Sequence, residues 1–202
     1  MVMFFHYRTI SNKFLKISGL VFFLFGLLLT QSIAAVFSLL MSVFLCLLIK
    51  KKYKRIFLLL IPSIFLLALV FFLRLQYHKD FTQPYFSLLK RIEYFKETIK
   101  LISKHPLRGV GIGLFSLKNT LFSHNLFLQL WAEAGFLSFV LFLIICIFFI
   151  KKGMRVKEEK DFYIFIAGVC FLIHNLVDFT FFTLQVSFLW WICLGVILSK
   201  SE

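Results

Sequence analysis

The chain has 202 residues, of which 61% are apolar and 16% charged, and it carries a formal net charge of +14. A water-soluble domain is typically about 45–50% apolar and about 25% charged, so this composition excludes one. A basic excess can indicate nucleic-acid binding, but here the lysines and arginines lie between long apolar runs, as in membrane proteins, and we predict no nucleic-acid partner.

The first third of the chain predicts three membrane-spanning helices. A helix needs about 20 apolar residues to cross the hydrocarbon layer, and the uncharged stretch 17–49 is too long for one crossing. Its polar cluster Thr30-Gln31-Ser32 predicts a hairpin turn. The basic cluster at 50–55 is predicted to be cytoplasmic by the positive-inside rule. The predicted spans are 14–29, 33–49 and 56–73.

The last third predicts three further spans and a second basic cluster at 151–157. The sequence therefore predicts an all-α polytopic membrane protein with about six transmembrane helices and both termini in the cytoplasm. Residues 74–135 form one long, partly helical extracytoplasmic loop in this topology, between two groups of transmembrane helices within 1–73 and 136–202. The last predicted spans are 136–150, 162–179 and 184–198.

The long loop contains an amphipathic helix, which we predict at 87–104 because apolar residues recur there with a spacing of three or four. Arg91 borders this apolar stripe. It is either an arginine snorkelling at the membrane interface or a guanidinium that holds a phosphate in a polar cavity. The residues of the stripe are Leu88, Ile92, Phe95, Ile99 and Ile102.

Proline and glycine follow this helix. Pro106 ends it, and Gly109, Gly111 and Gly113 alternate with apolar residues. Alternating glycines permit positive φ angles, so the segment is either a plain turn or an anion-binding nest of backbone N–H groups.

His124 lies at the start of a second short helix in the loop, which Ser123 or Asn125 is predicted to cap. Histidine side chains titrate near neutral pH and often serve as general bases. The alternative is a histidine with a structural role.

His174 and Asp178 form a polar island near the end of the chain. Their i, i+4 spacing places them on one face of the predicted fifth span. Ionisable groups inside a span usually face the bundle interior, although Asp178 could instead lie in water at the outer rim. The four cysteines are dispersed, and we predict neither a metal site nor a metal cofactor.

The stretch 91–135 resembles the O-antigen ligase/polymerase superfamily of bacterial membrane glycosyltransferases. The likeness consists of an arginine on an amphipathic helix, the run 106–115, His124-Asn125 with Leu128-Gln129, and Glu133-Ala134-Gly135. The late island that runs from His174 to Asp178-Phe179 resembles the family's last hairpin, and residues 28–32 resemble its Leu-Thr-x-Ser-Arg turn.

The resemblance implies transfer of a glycan from undecaprenyl diphosphate to an acceptor hydroxyl at the outer face of the bacterial inner membrane. The acceptor would be a glycan, a lipid A core or a protein. His124 would be the catalytic base, Arg91 would bind the diphosphate and Asp178 would support the same cavity, with no metal or other cofactor. The remaining candidates for substrate binding are Arg74, Arg108, Asn125, Glu133 and His174.

Two departures from the family pattern bear on this expectation. Ser32-Ile33 stands where the family has Ser-Arg, so Arg74 or Lys79 would have to replace a phosphate-binding arginine. Family members also have more spans, so either another chain supplies the missing N-terminal helices or this chain is a truncated copy. The alternative function is a truncated, non-catalytic membrane subunit that only binds a polyprenyl-diphosphate-linked glycan.

Overall fold

The computed structural model describes residues 12–77, 86–118 and 120–199, without the side chains of Tyr77 and residues 86–88. These parts of the chain are all-helical, as predicted, and contain no β-strand. The seven α-helices are α1 (Lys13–Leu29), α2 (Ile33–Ile49), α3 (Tyr53–Tyr77), α4 (Phe86–Lys104), α5 (Leu126–Arg155), α6 (Glu159–His174) and α7 (Leu184–Leu198), and a 3₁₀ turn (Thr180–Phe182) precedes α7.

Two of these helices are long and apolar enough to cross a membrane. They are Tyr53–Gln76 within α3, with 24 residues, and α5, with 30 residues. The helices α2 and α7 are apolar but shorter. Large apolar side chains of α3, such as Phe57 and Ile61, are exposed. An exposed apolar surface of this kind suits contact with lipid rather than with water.

By its internal contacts the chain divides into two units, of which the first comprises residues 1–84 and 156–173. The predicted hairpin at 30–32 is observed there, and Gln31 adopts a φ of 51° at the turn. Ser32 caps α2 by accepting a hydrogen bond from the N–H of Ala35 at 3.2 Å. The helices α2 and α3 pack against each other.

Lys50 joins the end of α2 to the start of α6 within the first unit. Its Nζ lies 3.1 Å from Glu159 Oε1 and within 5 Å of the ring centres of Phe162 and Tyr163. An ammonium over aromatic rings is attracted by their negative faces. One lysine of the basic cluster at 50–55 therefore holds two helix ends together.

The second unit comprises residues 85–155 and 174–202. The helix α5 packs against both α4 and α7, and the fully buried ring of Trp190 lies 5.5 Å from that of Phe142. The path of α5 is interrupted at Gly135, which has φ 82° and ψ 179°. The short helix 126–134 is thus followed by a long apolar one, 136–155, in agreement with the prediction.

The helix α6 ends at His174, so the prediction that a helix continues to Phe179 is wrong. Asn175 explains the early end. Its carbonyl oxygen accepts from Leu126 N at 2.9 Å, and its side-chain oxygen accepts from Phe181 N at 2.9 Å. These tertiary bonds draw the backbone out of the helix. Asp178 therefore lies in a turn and not on a helix face shared with His174.

The helix α4 forms almost where it was predicted, but its buried face is rotated about the helix axis relative to the predicted apolar stripe. Ile102 is buried, whereas Ile92 is 43% and Ile99 55% exposed. The buried face includes Thr98, whose hydroxyl donates to Tyr94 O at 2.7 Å and so needs no water. An apolar stripe predicts an apolar neighbour, but it does not say whether that neighbour is protein or lipid.

Candidate functional site

Three basic side chains converge on the carboxylate of Asp178. Arg91 Nη2 and His174 Nε2 each lie 3.6 Å from Asp178 Oδ2. His124 Nδ1 lies 3.9 Å from Asp178 Oδ1. We call these four residues the Asp178 cluster. They come from α4, from the loop before α5, from the end of α6 and from the turn that follows it.

His124 is held between two aromatic rings. The ring of Tyr94 stacks on the imidazole with 5.7 Å between the ring centres, and Phe179 approaches it edge-on at 4.9 Å. Tyr94 lies three residues after Arg91 on α4, so one face of that helix delivers both side chains to the cluster. His124 itself has a φ of 54°, in the left-handed region that non-glycine residues seldom adopt.

Asn125 fixes the loop that carries His124. Its side-chain oxygen caps α5 by accepting from Leu128 N at 2.9 Å, which identifies Asn125 as the N-cap. Its side-chain nitrogen donates to Leu176 O at 2.8 Å. The start of α5 is thereby bonded to the turn that carries Asp178, and this brings His124 beside the carboxylate.

The charge of Asp178 is set by competing influences. Burial by itself would raise the pKa of the carboxyl group, but its contact with His124, a hydrogen bond from Phe179 N at 2.8 Å, and the nearby His174 and Arg91 together lower that pKa below the ordinary value. The four side chains are between 18% and 25% exposed. Asp178 is therefore ionised at neutral pH, and the partly exposed side chains of the cluster are still accessible to a ligand.

The glycine-rich segment serves as a turn. The N–H of Gly109 donates to His105 O at 3.0 Å, and the N–H of Gly111 donates to Glu133 O at 2.9 Å. The N–H of Gly113 donates to Glu133 Oε2 at 3.2 Å. These three N–H groups are therefore occupied within the protein, which favours the turn over the anion-binding nest.

Of the other predicted binding residues, Glu133 and Arg108 belong to the second unit and Arg74 to the first. Glu133 is buried, and its carboxylate accepts hydrogen bonds from Gln129 and Gly113. Arg108 is exposed on the loop, and Arg74 lies half-buried near the end of α3 in the first unit. Lys79 lies outside the described residues.

Tyr94 was not singled out from the sequence, and Gln129 and Phe179 were noted only as part of the family resemblance, with no role assigned to either. Tyr94 could have been found from its i, i+3 spacing to Arg91, and Gln129 from its i, i+4 spacing to Glu133 in an otherwise apolar helix. No local pattern indicates the contact of Phe179 with His124, because that contact joins distant segments. Within the described ranges, no three His, Cys, Asp or Glu side chains are grouped as metal ligands.

The arrangement can hold an anion and accept a proton. Arg91 meets Asp178 through Nη2, and the rest of its planar guanidinium fork can face a second anion such as a phosphate. His124 turns Nδ1 toward the carboxylate. A neutral imidazole that keeps its proton on Nδ1 presents Nε2 as the acceptor.

Comparison with known proteins connects this geometry to a family. Residues 18–143 match the family model described as O-antigen ligase. The chain is 29% identical over 117 residues to the ComP-specific O-oligosaccharyltransferase of Acinetobacter baylyi (strain ATCC 33305 / BD413 / ADP1). That match covers 49% of this chain and 21% of the relative. No solved structure matches the chain.

The family match covers more than half of the chain, and the long apolar helices agree with it. The protein is therefore integral to a membrane, and it belongs to the O-antigen ligase family.

Proposed function

We propose that this chain transfers a glycan from undecaprenyl diphosphate to an acceptor hydroxyl, with His124 as the catalytic base and Arg91 as the diphosphate ligand. The observation that carries the proposal is that Arg91 and His124, from separate segments, both contact the carboxylate of Asp178. A base and a cation held at one partly exposed point are what such a transfer requires.

The proposed step is a substitution at the anomeric carbon of the donor sugar. Nε2 of His124 takes the proton of the acceptor hydroxyl, and the acceptor oxygen bonds to the anomeric carbon. The bond from that carbon to the diphosphate oxygen breaks, and undecaprenyl diphosphate leaves with the electron pair. Arg91 offsets the negative charge that develops on the leaving group. Asp178 orients the imidazole and stabilises its protonated form.

An apolar groove beside the cluster supports a lipid-linked donor. The groove is open and has a volume of about 420 Å³. It includes Asn125, the residue next to His124, and a polyprenyl chain bound there would place its diphosphate near the cluster. Its lining residues are Asn125, Phe127, Leu128, Trp131, Phe139, Leu143 and Leu176.

The proposed setting is the bacterial inner membrane, with both termini cytoplasmic and the Asp178 cluster at the outer face. The six crossings would be α1, α2, α3, the segment 136–155 of α5, α6 and α7. The basic clusters at 50–55 and 151–157 support this orientation through the positive-inside rule. The acceptor would be a glycan, a lipid A core or a protein.

Membrane vesicles that contain the full chain and a labelled undecaprenyl-diphosphate-linked glycan test the proposal. We expect His124→Ala to lower the transfer rate by about 10² to 10⁴-fold, because general base catalysis contributes that much. Binding of undecaprenyl diphosphate should remain, since Arg91 is intact. His105→Ala, which changes an exposed loop histidine, is the matched control and should transfer at the wild-type rate.

Equal transfer by His124→Ala and by the wild type would overturn the proposed base. If the wild type binds undecaprenyl diphosphate but transfers no glycan, the alternative function of a non-catalytic binding subunit is favoured.

A further inference from the structure

Gln129 and Glu133 are two polar side chains buried in the first half of α5, one helical turn apart. Gln129 is fully buried and Glu133 is 8% exposed. Burying an amide or a carboxylate is costly unless its polar atoms are hydrogen-bonded. The hydrogen-bond partners of these side chains therefore indicate what they do.

Their hydrogen bonds form one continuous chain, which we call the Gln129 relay. Ser123 N donates to Gln129 Oε1 at 2.7 Å, and Gln129 Nε2 donates to Glu133 Oε1 at 2.6 Å. At the far end Gly113 N donates to Glu133 Oε2 at 3.2 Å. Because a backbone N–H can only donate, Gln129 must turn its oxygen to Ser123 and its nitrogen to Glu133. The direction of every bond in the relay is thus determined.

The relay ends at the residue before His124. Ser123 is fully buried, and its hydroxyl donates to Asn125 O at 2.7 Å and accepts from Asn125 N at 3.2 Å. His124 is therefore held between two residues that are both bonded to α5. A left-handed conformation at a histidine persists only where the surrounding structure enforces it.

We propose that Gln129 and Glu133 are positioning residues, which act through Ser123 to hold His124 in the left-handed conformation that turns Nδ1 toward Asp178. This inference rests on the proposed function, in which His124 is the base. The relay also bonds the glycine-rich turn to the carboxylate of Glu133 through Gly113 N. The loop that carries His124 and the glycine-rich turn are therefore held to one point of α5.

Exchanging the two side chains tests the relay. Glu133 accepts from two donors, Gln129 Nε2 and Gly113 N. In Glu133→Gln the new amide can accept from only one of them, and its NH₂ group faces the other donor. In Gln129→Glu two carboxylates face each other. The double variant, Gln129→Glu with Glu133→Gln, restores every bond. In the double variant the carboxylate at position 129 accepts from Ser123 N and from the amide nitrogen at position 133. The amide oxygen at position 133 accepts from Gly113 N.

The first measurement is steady-state transfer by folded protein. We expect each single variant to lower kcat on the order of 10-fold, because a small displacement of the base slows the chemical step. The KM for the lipid-linked donor should change by less than about twofold, since Arg91 is untouched. The double variant should recover kcat to within about threefold of the wild type.

The second measurement does not depend on glycan transfer. Diethyl pyrocarbonate acylates histidine side chains, and mass spectrometry locates each product. We expect His124 to react about threefold faster or more in each single variant, because its loop opens more often, and at the wild-type rate in the double variant. The exposed His105 is an internal control whose rate should not change.

Unchanged reactivity of His124 in both single variants would overturn the positioning role, whether or not the chain transfers glycan. A lower Tm with unchanged kcat and His124 reactivity would also overturn it, because the relay would then serve only stability. Altered reactivity that the double variant restores supports the proposal even if His124→Ala shows that His124 is not the base. If a single variant does not fold, Glu133→Asp makes the same comparison, since it withdraws the carboxylate by one methylene.

Discussion

Two regions of the second unit satisfy their polar groups in different ways. Residues 106–113 pack against residues 132–135, and we call this contact the glycine junction. In it, Val110 N donates to Ala132 O at 2.8 Å and Gly111 N donates to Glu133 O at 2.9 Å. In the Asp178 cluster the three basic side chains stand 3.6 to 3.9 Å from the carboxylate. The backbone groups of the junction bond at about 2.8–2.9 Å, whereas the distances from the three basic side chains to the Asp178 carboxylate are longer.

The difference separates a scaffold from a candidate site. Backbone groups at ordinary hydrogen-bond distance are already satisfied and resist displacement. Charged groups at longer separation attract each other but can still turn toward a ligand, and hydrogen bonds in unliganded active sites are often long. The glycine junction therefore holds α5 and the loop in place, and we expect the Asp178 cluster to be the part that binds a ligand.

The largest effect is expected at the junction. Gly135 has a φ of 82°, and a Cβ there would collide with the carbonyl oxygen of Leu107. We expect Gly135→Ala to lower the free energy of unfolding by more than about 3 kcal/mol. Its Tm in detergent should fall by about 6–12 °C.

Gly195→Ala is the matched control in the same unit, because nothing lies within 4 Å of a Cβ at that position in α7. It should leave Tm unchanged or raise it slightly, since alanine favours a helix by about 0.5–1 kcal/mol over glycine. Equal Tm values for the two variants would contradict the close packing at the junction.

The next effect concerns the carboxylate of the cluster. Asp178→Asn keeps the shape of the side chain but removes the charge that faces Arg91 and His124. We expect glycan transfer to fall on the order of 10²-fold, because the base loses its orienting partner. Transfer in membrane vesicles measures this. Glu158→Gln, which changes an exposed carboxylate in the first unit, should have no effect, and a similar loss there would point to a general charge effect.

A smaller effect is expected at the guanidinium. Arg91→Lys keeps the positive charge but loses the planar fork that binds a phosphate bidentately. We expect the affinity for undecaprenyl diphosphate to fall about 10-fold. Direct binding to the protein in detergent measures this. Lys96→Arg, on the exposed side of α4, is the control, and an unchanged affinity in Arg91→Lys would argue against diphosphate binding by Arg91.

The smallest effect is a dependence of stability on pH. Because the pKa of Asp178 is lowered from 3.8, its ionised form stabilises the folded protein above that value, and this contribution is lost as the pH falls through the lowered pKa. The Tm of the wild type should exceed that of Asp178→Asn at neutral pH, and the difference should shrink as the pH falls below about 4. A difference that grows in acid would contradict the lowered pKa.

Much of the fold could be predicted from local patterns. The hairpin at 30–32 follows from one polar cluster in a long apolar run, and the helix at 87–104 follows from the spacing of its apolar residues. The rotation of α4 could not be predicted in the same way, because a stripe facing lipid and a stripe facing protein have the same pattern. Thr98 is buried because its hydroxyl bonds within its own helix.

Local patterns predicted the residue types of the candidate site, whereas its assembly in one cavity was implied only by the family resemblance. His124, Arg91, Asp178 and His174 were all identified from the sequence, and the structure brings them together. The predicted helix face shared by His174 and Asp178 is wrong, since α6 ends at His174, but the two side chains still lie 3.6 Å apart.

The sequence by itself determined that this is a helical membrane protein with a polar loop, because run length, apolar spacing and charge distribution act over one helix or one turn at a time. Only the tertiary structure decided which ionisable side chains meet. Leu126 N bonds to Asn175 O across a large separation in the chain, and Gly135 leaves the helical conformation where the loop passes. Contacts of this kind depend on how distant segments pack, and no local pattern encodes them.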